Sequence, residues 1–169
     1  MLADGKVVAW FQGRMEFGPR TLGYRSILGD PRKVEIKDRI NRTVKFRDEF
    51  RPFAPSVLRE HIKAYFDADH DSPFMTLTFD VLPDKRDEIA GVVHVDNTAR
   101  VQTVSREDHP LYYDLIDQFY RLTGVPMVLN TSFNLAGEPI VCSPHDALRT
   151  FFTSGIDALI MGRYVVAKQ

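Results

Sequence analysis

A chain of 169 residues is long enough for one domain with a sizeable core, and its hydrophobic fraction of 44% and charged fraction of 27% are ordinary for a globular protein. A single cysteine, Cys142, excludes a disulfide framework and a cysteine-rich metal site. No apolar run approaches the roughly 20 residues of a membrane span, and no signal-peptide pattern is present, so a cytoplasmic location is expected.

The first element in chain order is the end of a helix, Leu2-Ala3-Asp4, closed by Gly5. The body of that helix would precede Met1, so the expectation is one domain, residues 1–169, taken from a longer two-domain protein. Residues 6–11 read as a buried strand. Pro31 to Asn41 reads as a helix, with Pro31 in its first turn and Val34, Ile36 and Ile40 as apolar contacts. Phe53 to Leu58 reads as a strand that Pro52 and Pro55 confine to an edge or a bend. Residues 75–79 alternate apolar and hydroxyl side chains, and 92–95 and 100–104 are further strand candidates.

The clearest helix is 110–122, with Leu111, Leu115, Ile116, Phe119 and Leu122 on one face and Gly124 closing it. A short strand at 126–129 precedes a polar turn. A helix at 143–153 follows, with capping-box spacing between Ser143 and Asp146 and Pro144 at the first helical position. Strands at 158–161 and 164–167 finish the chain. The interleaving predicts an α/β domain, a twisted mixed sheet with flanking helices.

Three constellations carry chemistry. Gly13-Arg14-Met15-Glu16-Phe17-Gly18-Pro19-Arg20-Thr21-Leu22-Gly23 places three glycines and two arginines directly after the first strand. Glycine permits close approach to a ligand, and guanidinium forks fit phosphate or carboxylate oxygens. Neither a Walker loop nor a dinucleotide fingerprint is present, and a glycine-rich turn beside surface arginines would read the same way. Glu16 is expected to orient Arg14 or Arg20 by a salt bridge.

The second constellation is Val44-Lys45-Phe46-Arg47, with Arg51 close behind; in an extended segment Lys45 and Arg47 would point to one side as a cation clamp. The third, Asn130-Thr131-Ser132-Phe133-Asn134, follows a buried strand, where ligand-binding turns of α/β sheets commonly lie. A wet helix face and an ordinary Asx-rich turn are the structural alternatives for these two. Charge supports the functional reading: residues 13–51 hold eleven Lys and Arg against six Asp and Glu, and the whole chain has fifteen Arg to seven Lys. Arginine excess suits planar oxyanions, so a small phosphorylated ligand fits better than nucleic acid, given a net charge of −1.

These segments, together with Arg51-Pro52-Phe53-Ala54-Pro55 and Val95-Asp96-Asn97-Thr98-Ala99-Arg100-Val101-Gln102, resemble the C-terminal domain of nodulation-type O-carbamoyltransferases, in order from Gly5 to Lys168. Lys45-x-Arg47, Thr123-Gly124-x-Pro126, Ser132-x-Asn134 and Gly137-Glu138-Pro139 are also similar to the YrdC-like fold of threonylcarbamoyl-adenylate synthases. The resemblance implies cleavage of carbamoyl phosphate to carbamate, attack of carbamate on the α-phosphate of ATP with Mg²⁺, and release of pyrophosphate. It also implies a metal-holding N-terminal Kae1-like transferase domain that passes the carbamoyl group to a hydroxyl acceptor.

The family's ligand-binding positions fall on Arg20, Lys45, Arg51, Arg100, Asn130 and Ser132, and the synthase pattern adds Arg47 and Asn134. Lys45 and Arg100 are the implied catalytic residues, with Lys45 a movable charge and Asn130 and Ser132 hydrogen-bond donors. No metal site is expected in this domain, and Asp96 and Glu138 are the candidates for holding Mg²⁺. A structural role is favoured for His94, and a buried, inert thiol for Cys142. An RNA-binding module and a non-catalytic appendage are the alternatives.

Overall fold

The computed structural model describes residues 1–48 and 50–168. The chain runs through β1 (Val8–Phe11), β2 (Arg25–Gly29), α1 (Val34–Ile40), β3 (Ala54–Leu58), α2 (Ile62–Tyr65), β4 (Leu77–Asp80) and β5 (Thr98–Val104). It continues with α3 (Pro110–Thr123), β6 (Met127–Ser132), α4 (Pro144–Phe152), β7 (Ala158–Met161) and β8 (Tyr164–Ala167). Eight strands make one sheet in the order β4-β5-β3-β6-β2-β1-β7-β8, with β3/β5 and β1/β7 parallel and the other pairs antiparallel. The expected mixed sheet with flanking helices is therefore present. No described helix is long and apolar enough to cross a membrane.

Strand composition follows position in the sheet. Strands β1, β2 and β3 are buried at every residue, whereas the edge strands β4 and β8 are mostly exposed, as a sheet covered on both faces at its centre requires. Helix α1 lies on the face of Gly29 and Leu129, where a Cβ on Gly29 would come within 2.7 Å of Ile36 Cγ2. Helix α3 lies on the opposite face, where fully buried Tyr112 sits close to Ser56. It ends on left-handed Gly124, and α4 begins with the capping box between Ser143 and Asp146.

Several expectations are corrected. The strand β2 was not foreseen, although it sits at the centre of the sheet. Residues 54–58 form an interior strand; the ladder to β5 begins at Ser56, one residue past Pro55, so the missing N–H of the proline interrupts nothing there. Residues 92–95 are not a strand: a 3₁₀ turn ends at Val92, and Asn97 takes a left-handed φ of 65°. Pro31 precedes the α1 cap, Lys33, instead of lying in the first turn. The buried face of α3 is Tyr112, Ile116 and Phe119, with Leu111 and Leu122 exposed. Cys142 is exposed.

Strand directions decide where a site can form. Strands β1 and β6 finish at the same end of the sheet at which β2, β3 and β5 begin. The segments 12–24, 46–48, 50–53, 94–97 and 133–142 therefore converge on one edge.

Candidate active site

The first of these segments is pinned from within. Gly13 and Gly23 hold φ values of 49° and 107°, a region that favours glycine. Glu16 Oε1 accepts hydrogen bonds from the backbone N–H of Leu22 at 2.6 Å and Tyr24 at 2.8 Å. The carboxylate thus holds the loop's backbone; among the described residues it makes no ion pair with Arg14 or Arg20, contrary to expectation. Beneath it, buried Arg25 donates to the carbonyls of Gln12 (2.7 Å), Gly13 (3.0 Å), Tyr24 (3.0 Å) and Cys142 (3.4 Å), and lies 3.5 Å above the Phe11 ring. Arg25 is a frame residue.

The second segment departs most from its sequence expectation. Helix α1 widens into a π turn, Asn41–Lys45, which closes on Phe46 in the left-handed region at φ 45°. A bulky residue there is strained, and π turns concentrate at functional sites. Lys45 and Arg47 are not parallel prongs of a strand; the sharp turn at Phe46 separates them and leaves the Phe46 ring 61% exposed.

Lys45 is driven inward, where Nζ donates to Ser132 O at 2.6 Å, Asn134 Oδ1 at 2.7 Å, and Ser132 Oγ and Asn134 O at 3.1 Å. It is anchored in this arrangement, not a movable charge. Burial first, and then nearby Arg47, push its pKa down to about 7, while the four oxygens hold the ammonium form against that pull. Arg47 Nε donates to Asn41 Oδ1 at 2.7 Å, and its guanidinium lies 4.8 Å from the Phe53 ring centroid.

The remaining groups come from β5 and β6. Arg100, opposite Thr78 in the ladder, has a buried Nε without a partner among the described residues. Burial and then the charge of Arg20 lower its pKa, which places these two cations close together. Asn130 Nδ2 donates to Thr21 O (3.1 Å), Ser56 Oγ (3.0 Å) and Gln102 Oε1 (3.1 Å), while its buried Oδ1 has no partner among the described residues. The Ser132 hydroxyl donates to Asn134 Oδ1 at 2.6 Å. The donors of Asn130 and Ser132 are therefore engaged inside the protein, and what Asn130 has left to offer is an acceptor.

A cavity of about 130 Å³ results, lined by Arg20, Arg47, Arg100, Asn130 and Ser132 together with Thr21, Phe53, Met75 and Thr131. Five of the eight expected residues thus share one cavity, and Lys45 and Asn134 stand behind its Ser132 wall. Arg51 is exposed and outside the lining, although burial and then the charge of Arg51 lower the pKa of Arg47. Among the described residues no carboxylate forms an ion pair with Arg20, Arg47, Arg51 or Arg100. Three guanidiniums facing a small hollow, with no carboxylate among the described residues paired to them, favour an anion of phosphate or carbamoyl-phosphate size. The hollow is far smaller than the roughly 300–1,000 Å³ of pockets that enclose a drug-sized molecule.

Met75 at φ 54° and the tether Asn41 were missed as site residues, and nothing local in the sequence singles them out. Asp96 and Glu138 do not line the cavity: Asp96 Oδ1 accepts from Thr98, and Glu138 lies 4.0 Å from Arg149. His94 is also outside it, beside the Thr98 hydroxyl, with its pKa lowered by burial.

A family model described as carbamoyltransferase C-terminus matches residues 1–168. The nodulation protein NolNO of Sinorhizobium fredii is 51% identical, over 99% of this chain and 25% of that protein. NolO of Bradyrhizobium diazoefficiens is 49% identical, over 99% of this chain and 31% of its own length. The chain therefore spans about a quarter to a third of these relatives. Among solved structures, full-length HypF in a phosphate- and nucleotide-bound form aligns at a TM-score of 0.61 with 17% identity, over 96% of this chain and 24% of that one. That last likeness is one of fold.

Proposed function

This chain belongs to the carbamoyltransferase C-terminus family, and on that premise we propose that it performs the ATP-dependent half of an O-carbamoyl transfer in the cytoplasm. Water cleaves carbamoyl phosphate to carbamate and phosphate. A carbamate oxygen then attacks the α-phosphorus of ATP, the bond to the bridging oxygen of the β-phosphate breaks, and carbamoyl adenylate and pyrophosphate form. A hydroxyl acceptor finally attacks the carbamoyl carbon and AMP leaves. We assign that last step to an N-terminal Kae1-like domain in a longer two-domain protein.

The carrying observation is the set of three guanidiniums, Arg20, Arg47 and Arg100, around a cavity where, among the described residues, no carboxylate pairs with them. Bringing anionic carbamate against anionic phosphate needs that neutralisation, and preorganised cations supply it without reorganising at the moment of reaction. Asn130 Oδ1, an acceptor without a partner, suits the amide N–H of a carbamoyl group. Lys45 holds the Ser132 wall and adds positive charge behind it. Mg²⁺ would arrive with the nucleotide and shield its phosphates.

Pyrophosphate exchange into ATP is the direct test. The chain should exchange labelled pyrophosphate only when carbamoyl phosphate is present. Exchange without it would mean a different acyl group, and no nucleotide binding by calorimetry would defeat the reading.

Lys45 gives a second, independent expectation. A polyanion in the cavity favours the ammonium form and so raises a pKa that stands at about 7 in the free protein. At pH 8 the sign is therefore proton uptake on binding of ATP. Calorimetry in two buffers of different ionisation enthalpy should show it, and Lys45→Met should abolish it. Equal apparent enthalpies in both buffers for the unmodified chain would contradict this coupling.

A further inference from the structure

Asn130 is held by a row of buried polar side chains that crosses three strands. Gln102 of β5 stands in register with Ser56 of β3, and Asn130 of β6 pairs with Ala54 on the other side of that strand. Strands β5 and β6 lie two strand spacings apart, about 9.6 Å, and the small Ser56 side chain between them leaves room for the two amides to meet. Gln102 Oε1 accepts from Ser56 Oγ at 2.6 Å and from Asn130 Nδ2 at 3.1 Å. Gln102 Nε2 donates to Leu22 O at 3.0 Å. All three side chains are buried.

The sense of both amides is set by two consecutive carbonyls of the glycine-rich loop. A carbonyl oxygen only accepts, so the Gln102 atom facing Leu22 O is its nitrogen. The Asn130 atom facing Thr21 O is its nitrogen for the same reason. Turning the Asn130 amide over would set its oxygen against both Thr21 O and Gln102 Oε1 in a buried place, a costly arrangement. Asn130 also lines the cavity of Arg20, Arg47 and Arg100, and its Oδ1 has no partner among the described residues.

We propose that Gln102 is a positioning residue: it locks the Asn130 amide so that the cavity offers an acceptor, and the site thereby selects a carbamoyl group over an acetyl group. The selection rests on the ATP-dependent reading above. Carbamate and acetate share shape and charge, and differ only in an amino group where acetate has methyl. The amino group can donate to Asn130 Oδ1, whereas methyl leaves that buried oxygen unpaired. Gln102 acts through Asn130, since it does not itself line the cavity.

Pyrophosphate exchange driven by carbamoyl phosphate or by acetyl phosphate, on one preparation, reads the selection as a ratio of rates. The unmodified chain should favour carbamoyl phosphate by about 10–100-fold, the scale of one buried acceptor left unpaired. In Gln102→Met the Ser56 hydroxyl, released from Gln102, can donate to Asn130 Oδ1 and turn the amide, so the ratio should fall toward one. Misfolded protein lowers both rates alike, so a loss of packing alone leaves the ratio untouched. Gln102→Glu keeps the oxygen that accepts from Asn130 and should keep the ratio even where the rate falls. Hydrogen exchange resolved by ¹⁵N tests the lock apart from any nucleotide chemistry. The Asn130 side-chain amide protons should exchange slowly in the unmodified chain and faster in Gln102→Met. Fast exchange in the unmodified chain overturns the lock, and an unchanged ratio in Gln102→Met reduces Gln102 to a packing residue. Failure of both phosphates to drive exchange overturns the ATP-dependent reading and the selection with it, a result that the amide protons distinguish from failure of the lock.

Discussion

Arg100→Ala should lower carbamoyl-adenylate formation by about 10²–10³-fold, the scale of losing one preorganised charge donor at a reacting centre, with thermal stability unchanged or slightly raised. The two halves of this result have one cause. Arg100 is partly buried beside Arg20, its Nε has no partner, and no carboxylate compensates it among the described residues. Its charge is a cost to the fold that an anionic ligand offsets. Lys45→Ala should impair turnover to a similar degree but also lower stability by about 1–3 kcal/mol, because it removes the donor to four oxygens of Ser132 and Asn134. Lys33→Ala, at the α1 cap and outside the cavity, should change neither. Each variant removes one basic side chain. Equal loss of turnover in all three would reduce the basic third to a diffuse field and end the specific roles assigned here.

Legibility in the sequence depended on whether a signal was local. The α4 capping box and the left-handed Gly124 after α3 are local chemistry, and both are where the residues place them. Strand β2 is not local. Its sequence, Arg25-Ser26-Ile27-Leu28-Gly29, carries a charge and a glycine in five residues, a poor strand by propensity. It becomes a central strand because Arg25 finds four carbonyls and the Phe11 ring, and because the bare Cα of Gly29 admits Ile36. Tertiary context also explains Pro55 inside the sheet and the failure of residues 92–95, where a tight turn at Asn97 displaces an apolar run from the ladder.

The candidate cavity was legible as a set of residues and not as a geometry. Basic charge, glycines and motif resemblance named Arg20, Arg47, Arg100, Asn130 and Ser132, and these do share a cavity. The alternation assumed for Lys45 and Arg47 failed, because α1 continues into a π turn ending in left-handed Phe46. No propensity argument would choose phenylalanine for that backbone. Donor counting failed likewise at Asn130, since its partners Thr21, Ser56 and Gln102 lie 109, 74 and 28 residues away in sequence.

Gly23→Ala should be among the most damaging single-methyl changes in this chain, destabilising it by about 2–4 kcal/mol through overpacking and backbone strain together. A Cβ built at Gly23 would stand 2.6 Å from Cγ of Tyr112, a fully buried ring packed into the core and unable to swing away. The backbone is also at φ 107°, where an L side chain is strained in any surroundings. The consequences reach the site, since the Gly23 carbonyl accepts from Trp10 Nε1 at 2.9 Å and the next N–H is held by Glu16. Displacing it loosens the loop that carries Arg20, so adenylate formation should fall along with the melting temperature. At about 2–4 °C per kcal/mol for a domain of this size, the melt should drop by about 4–16 °C. Gly137→Ala separates the two causes: φ there is 75°, but nothing lies within 4 Å of the added methyl. It should therefore show the strain alone, about 1 kcal/mol. Equal shifts for the two variants would mean that the Tyr112 ring yields, and that Gly23 is needed for its backbone angle and not for the closeness of the loop to α3.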